Sequence, residues 1–114
     1  MSTKYYAVKN GPTLDAPILI GQSSFGWLFL FIEQNEPFAD NPVVWHEYAE
    51  VIDWLDQNTV KTNEYVIMNE YGNIITLDEF VAIVDKKQND PNCQGARNFE
   101  YAENRDGYRF CTDD

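Results

Sequence analysis

Six consecutive apolar residues, Trp27-Leu28-Phe29-Leu30-Phe31-Ile32, stand between the polar loop Gly-Gln-Ser-Ser-Phe-Gly and Glu33. The block is far shorter than the ~20 residues a membrane-spanning helix requires. It reads instead as a strand over residues 27–33, apolar on both faces and central in a sheet. Residues 16–22 (APILIGQ) read as the preceding strand. Residues 23–26 (SSFG) are a tight connection in which Gly26 can take a positive φ. Trp27, Phe29 and Phe31 should then face one helix. Leu28, Leu30 and Ile32 should face the other, or a partner copy if they form one exposed strip.

The remaining pattern supplies the rest of the sheet and its helices. Residues 3–9 (TKYYAVK) are rich in strand formers, and Asn10-Gly11-Pro12 marks a turn. Residues 35–42 read as a loop. Asn41 as N-cap and Pro42 as first helical residue predict a helix over residues 42–57. On its wheel Val44, Tyr48, Val51 and Leu55 share a face, with Ile52 and Trp45 alongside. His46, Glu50, Asp53 and Gln57 lie opposite, and Trp54 falls beside Glu47 and Glu50. Residues 65–75 read as two short strands around Tyr71-Gly72-Asn73. Thr76 and Glu79 form a capping box that opens a helix to about Lys87, with Leu77, Phe80, Val81 and Val84 inward. Lys86 and Lys87 suit its C-terminal dipole. Residues 88–114 are loop-rich, with two short strands around Asp106-Gly107. The predicted class is α+β: one compact domain over residues 1–114, a mainly antiparallel β-sheet with two α-helices packed on it.

Charge narrows the function classes. The chain carries 19 acids and 8 bases, a net charge of −11. Such a chain repels phosphate, so neither nucleic acid nor an anionic membrane is an expected partner. Hydrophobic residues make up 44%, which supplies a core and excludes a disordered acidic tail. No Lys or Arg lies between Lys9 and Lys61, an interval that holds Asp15, Glu33, Glu36, Asp40, Glu47, Glu50, Asp53 and Asp56. A run of one sign creates a directed field. It reads either as ordinary solvation or as a face that docks on a basic partner. In the second reading Glu47, Glu50, Asp53, Trp54 and Asp56 form the contact surface, with Trp54 as an exposed anchor.

Other constellations point less far. His46, Glu50 and Asp53 at i, i+4 and i+7 could hold a divalent metal, but three groups with one His are a weak signal, and the set reads as a solvated polar face. No nucleophile signature frames Cys93, Cys111, Ser23 or Ser24, so neither catalysis nor a cofactor is expected. Without an apolar leader in its first residues the chain is expected in a cytoplasm, with both cysteines reduced. The alternative function is a nucleotide-signal binder. It would use Gln22, Ser23 and Ser24 with Arg97, Arg105 and Arg109, whose guanidinium groups suit phosphates.

Three stretches, LIGQSSFGWLFLF, MNEYGNIITLDEFVAIV and RDGYRF, together carry a resemblance. In order and spacing they resemble the HIGKSSxGWxF, DEYGxxVSxEEF and DxxGYxF segments of a family of small bacteriophage proteins. They cover about a third of the chain. The family's usual His and Lys in the first segment are Leu19 and Gln22 here. The resemblance implies a phage product acting in the host bacterial cytoplasm, but supplies no reaction. By analogy it implies an inhibitor of a host defence or nucleic-acid-handling protein, including anti-restriction or anti-CRISPR action, or mimicry of DNA.

Overall fold

The computed structural model describes residues 2–38, 42–93 and 102–111. The chain runs β1 (Ser2–Lys9), β2 (Ile18–Ser24), β3 (Leu30–Ile32), β4 (Gln34–Glu36) and β5 (Val43–Trp45). It continues through α1 (Tyr48–Leu55), a π-helical segment (Asp56–Lys61), β6 (Tyr65–Asn69), β7 (Ile74–Ile75), α2 (Leu77–Gln88), β8 (Ala102–Arg105) and β9 (Tyr108–Cys111). Seven strands form a sheet in the order β7-β6-β1-β2-β3-β9-β8, while β4 and β5 make a separate ribbon. The large sheet is antiparallel except where β3 lies parallel to β9, with Phe31 beside Phe110. The architecture is the α+β class expected, with two α-helices on a mostly antiparallel sheet.

Both helices cover the same face of that sheet. Alternation along the strands directs Tyr5, Ala7, Ile67, Phe31 and Phe110 to this face, where all are buried. Val51 and Leu55 of α1 and Phe80 and Val84 of α2 join them in one core. Phe31 lies at its centre, stacked on Phe110 at 5.2 Å between centroids and edge-on to Tyr48 at 5.4 Å. Phe29 meets Phe80 edge-on at 5.4 Å, so the apolar block reaches both helices from one side. The expected split, one helix on each face, is therefore corrected.

The opening block forms less ladder than expected. Only Leu30–Ile32 forms a strand; Trp27 makes an isolated bridge, and Arg109 lies over its ring and donates to the Leu28 carbonyl. Phe29 is nonetheless fully buried, and Gly21 is the reason. A Cβ on Gly21 would fall 2.6 Å from Phe29 Cε1 and 2.1 Å from the Leu30 carbonyl oxygen. The missing side chain lets β3 and the Phe29 ring close onto β2. Next to it, the β1–β2 register steps from Tyr5↔Gly21 to Tyr6↔Leu19, leaving Ile20 as a bulged residue that is also buried.

The predicted helix over residues 42–57 is corrected at its start. Val43–Trp45 is instead a strand, paired with Gln34–Glu36 inside the expected loop. Two β-branched residues and a tryptophan find cross-strand partners there, and pairing outweighs the Pro42 signal. Asn41, the predicted N-cap, lies outside the described residues. The helix opens at Tyr48 with no side-chain cap on its first turn from Glu47. Past Leu55 the chain widens into the π-helical segment, where Asn58 Nδ2 and Thr59 Oγ1 donate to the Trp54 and Leu55 carbonyls at 2.8 and 2.7 Å. Such back-bonding competes with the regular helical ladder. By contrast α2 opens as predicted: Thr76 Oγ1 accepts from Glu79 N–H at 3.1 Å, and Glu79 Oε1 accepts from Thr76 N–H at 2.9 Å.

Candidate functional site

The helical layer collects acids from two separate parts of the sequence. Glu47, Glu50 and Asp53 on or beside α1 are exposed, as are Asp78, Glu79 and Asp85 on α2. Asp56 is half-exposed, with its carboxylate 3.4 Å from Lys61 Nζ. Glu50, Asp78 and Glu79 occupy first turns, where the helix dipole favours a negative charge.

A shallow, open groove of 440 Å³ lies along α1 and reaches Leu77 at the start of α2. Its apolar floor is half-buried Ile52 and Leu77, and exposed Ala49 stands around it with Asp53, Asp56 and Tyr48. Burial, the stacked Tyr108 and the Asp85 carboxylate push the Tyr48 hydroxyl up to about 12. It therefore stays a neutral donor at physiological pH. A floor of this kind receives an apolar side chain, while the rim attracts Lys or Arg. Leu77 and Ala49 were missed by sequence reasoning. Leu77 belongs to a helix far along the chain, and Ala49 carries no chemical signal.

Trp54 is not the exposed anchor expected. Its indole is half-buried, edge-on to Trp45 at 5.4 Å and to Tyr65 at 4.9 Å, and its Nε1 donates to the Pro42 carbonyl at 3.2 Å. It sits one residue before buried Leu55 and three after buried Val51, so it flanks the inward stripe.

His46 likewise leaves the helix face assigned to it. Its Nδ1 pairs with Glu33 Oε1, and its backbone N–H donates to Glu50 Oε1 at 3.0 Å. Arg105 Nη1 donates to the same Glu33 oxygen at 3.0 Å and to the His46 carbonyl at 2.8 Å. Burial raises the Glu33 carboxyl, but the hydrogen bonds and charges of His46 and Arg105 outweigh it and leave it below the ordinary range. The network ties β5 to β3 and β8. Among the described residues no three His, Cys, Asp or Glu side chains gather as a metal site.

The ligand-binding set does not converge as one group. Arg105 pairs across the ladder with Tyr108, and Arg109 with Asn104, so the two arginines point to opposite faces of the sheet. Arg105 lies over Phe110 at 5.5 Å. Arg109 is buried and lies over Trp27 at 5.0 Å, and burial lowers its affinity for the proton. Arg97 is outside the described residues. Gln22 Nε2 donates to Ser24 Oγ at 3.4 Å, a local contact between neighbours on one face of β2. Ser23 does line a cavity, of 520 Å³, shared with Phe25, Ile83, Lys86, Lys87 and Cys93. Phe25 stands almost fully exposed at its edge.

No known protein family, curated protein or solved structure matches this chain. Among the described residues no helix is long and apolar enough to cross a membrane.

Proposed function

We propose that this chain is a small acidic phage accessory protein that binds and inhibits a host bacterial protein, in the host cytoplasm. The observation that carries the reading is the groove along α1 that reaches Leu77, apolar at its floor and acidic at its rim. A basic segment with one apolar side chain fits it: the side chain fills the space over Ile52 and Leu77, and flanking Lys or Arg meets Asp53 and Asp56. Glu47, Glu50, Asp78 and Glu79 extend the field and steer the encounter. A surface of this sign also competes with nucleic acid for a basic groove, so the favoured target is a defence or nucleic-acid-handling protein. The motif resemblance supports the phage setting.

The test is capture from host lysate with wild type and a Glu47→Lys, Glu50→Lys, Asp53→Lys triple variant. All three positions are exposed, and circular dichroism checks that the variant, which loses the contact of Glu50 with the His46 amide, keeps the fold. Capture that weakens with salt and is lost in the variant is the expected result. Equal capture by a folded variant rejects this surface.

A second reading, a nucleotide-signal sponge, draws on the cavity that joins Ser23 and exposed Phe25 to Lys86 and Lys87. Lys86, with an exposed aromatic ring, suits a phosphate and a base, although Asp90 shares the lining and Lys87 Nζ already donates to the Ser24 carbonyl. A nucleotide at 100 times its Kd would stabilise the fold by about 2.7 kcal/mol. A thermal-shift series without any shift rejects this reading.

A further inference from the structure

The face of the large sheet turned away from the helices is apolar where a solvated antiparallel sheet would be polar. Cross-strand partners place Ile74, Met68, Tyr6 and Leu19 in one unbroken row over β7, β6, β1 and β2. Val66 and Val8 pair directly beside that row. Ile74 is 63% exposed, and the other five are half-exposed. The helices give their apolar stripes to the opposite face, as the core membership of Val51, Leu55, Phe80 and Val84 records.

Charge is sorted between the same two faces. In a chain of net charge −11, no described side chain at an outward strand position is an acid. The charged groups there are Lys4 and the buried Arg109. Glu70 stands at the rim, with its Oε1 turned back to accept from the Lys4 amide at 2.9 Å. The acids of α1 and α2 all lie on the far side of the sheet.

We propose that this outward face is the interface of a symmetric homodimer, two sheets stacked back to back. A second copy is the occupant because its matching face is also apolar and free of acids. An approach through the helical layers would instead set acid against acid. Stacked sheets lie ~10 Å apart, which keeps the two helical layers on opposite outer surfaces. The four strands that carry the row tile ~350 Å² of plane at their usual rise and spacing. With side-chain relief this falls in the small class of interfaces, under ~600 Å² per partner, and fits a dimer that dissociates on dilution. An isologous contact closes after two copies, so the product is a dimer and not a filament. Each dimer carries two acidic grooves facing away from each other.

Sedimentation equilibrium on the unaltered protein should give twice the chain mass, falling to one chain on dilution. Met68→Lys and Met68→Glu should each raise the dissociation constant ~30-fold or more, and an equal mixture of the two should recover the dimer. Far-UV circular dichroism checks that both fold. Should either variant unfold, oxidation of Met68 in the unaltered protein replaces it: the thioether should be protected at high concentration and reactive on dilution. A protein that remains one chain at ~1 mM overturns the proposal. So does a dimer in which both Met68 variants associate as tightly as wild type, or a single chain whose Met68 is protected only by vesicles or by a different protein.

Discussion

Gly21→Ala is the sharpest test of how the apolar block is seated. A methyl group there would lie 2.1 Å from the Leu30 carbonyl oxygen, which is backbone, and 2.6 Å from a buried Phe29 ring carbon. Neither neighbour is the free end of a flexible chain. Relief requires β3 to retreat by ~1 Å, enough to forfeit much of the dispersion contact across the gap. The β2–β3 ladder consists of Gly21↔Phe31 and Gln22↔Leu30, so little pairing would survive such a shift. Overpacking costs ~1–3 kcal/mol and each lost hydrogen bond about 1 more, which gives ~3–5 in total. Alanine also restricts the unfolded chain and returns ~0.4–1 kcal/mol, too little to reverse the sign. Gly26→Ala is the matched control. Gly26 has φ +83° but open space around its Cβ position, so it carries only the left-handed penalty of ~1–2 kcal/mol. With an unfolding entropy near 0.24 kcal/mol/K for a chain of this size, Gly21→Ala should melt ~12–20 °C below wild type. Gly26→Ala should melt ~4–8 °C below. Thermal and urea unfolding of all three proteins, followed by circular dichroism, measures both. If Gly21→Ala melts at or above Gly26→Ala, the close approach of β3 is refuted.

Phe29→Ala should cost ~3–5 kcal/mol, because its ring is buried between Tyr5, Phe31 and Phe80, whereas Ser23→Ala should stay within ~0.5. Denaturant titration separates them, and a Ser23→Ala protein that melts normally but loses partner or nucleotide binding would make the loop a site. Glu33→Gln should be less stable than wild type at neutral pH. The folded carboxyl lies below its ordinary range, so its stabilisation is present above the unfolded value near 4.3 and fades as pH falls through the folded value. Melting curves from pH 7 to pH 2 should therefore converge at the acid end, and a constant gap would reject the network as their cause.

Legibility from sequence followed how local the deciding force was. The capping box of Thr76 and Glu79 is settled within four residues, and α2 begins where they place it. The turns at Tyr71-Gly72-Asn73 and Asp106-Gly107 are settled by backbone chemistry in the same way. Val43–Trp45 was misread because a wheel that fits Val44 with Tyr48 cannot show that Gln34–Glu36 offers a strand partner. The acids of α1 were visible in the sequence. The groove was not, since Ile52 and Leu77 meet only after the sheet has placed both helices on one face. Arg105 and Arg109 were read with Arg97 as one phosphate-binding set, but a hairpin turn between them sends one to each face. His46 and Glu33 lie 13 residues apart and gave no motif.

The parallel pairing of β3 with β9 has a consequence for the nascent chain. Leu30 waits for Arg109, which is made roughly 80 residues later. At ~5–20 residues per second, a ribosome needs ~4–16 s to deliver it. Throughout that interval Leu30–Ile32 is an uncovered strand edge, and Phe31 lacks the Phe110 ring that stacks on it in the finished core. The segment that does most to organise the mature protein is thus its most adhesive part during synthesis, and the race between the arrival of β9 and aggregation at that edge sets the yield of soluble chain.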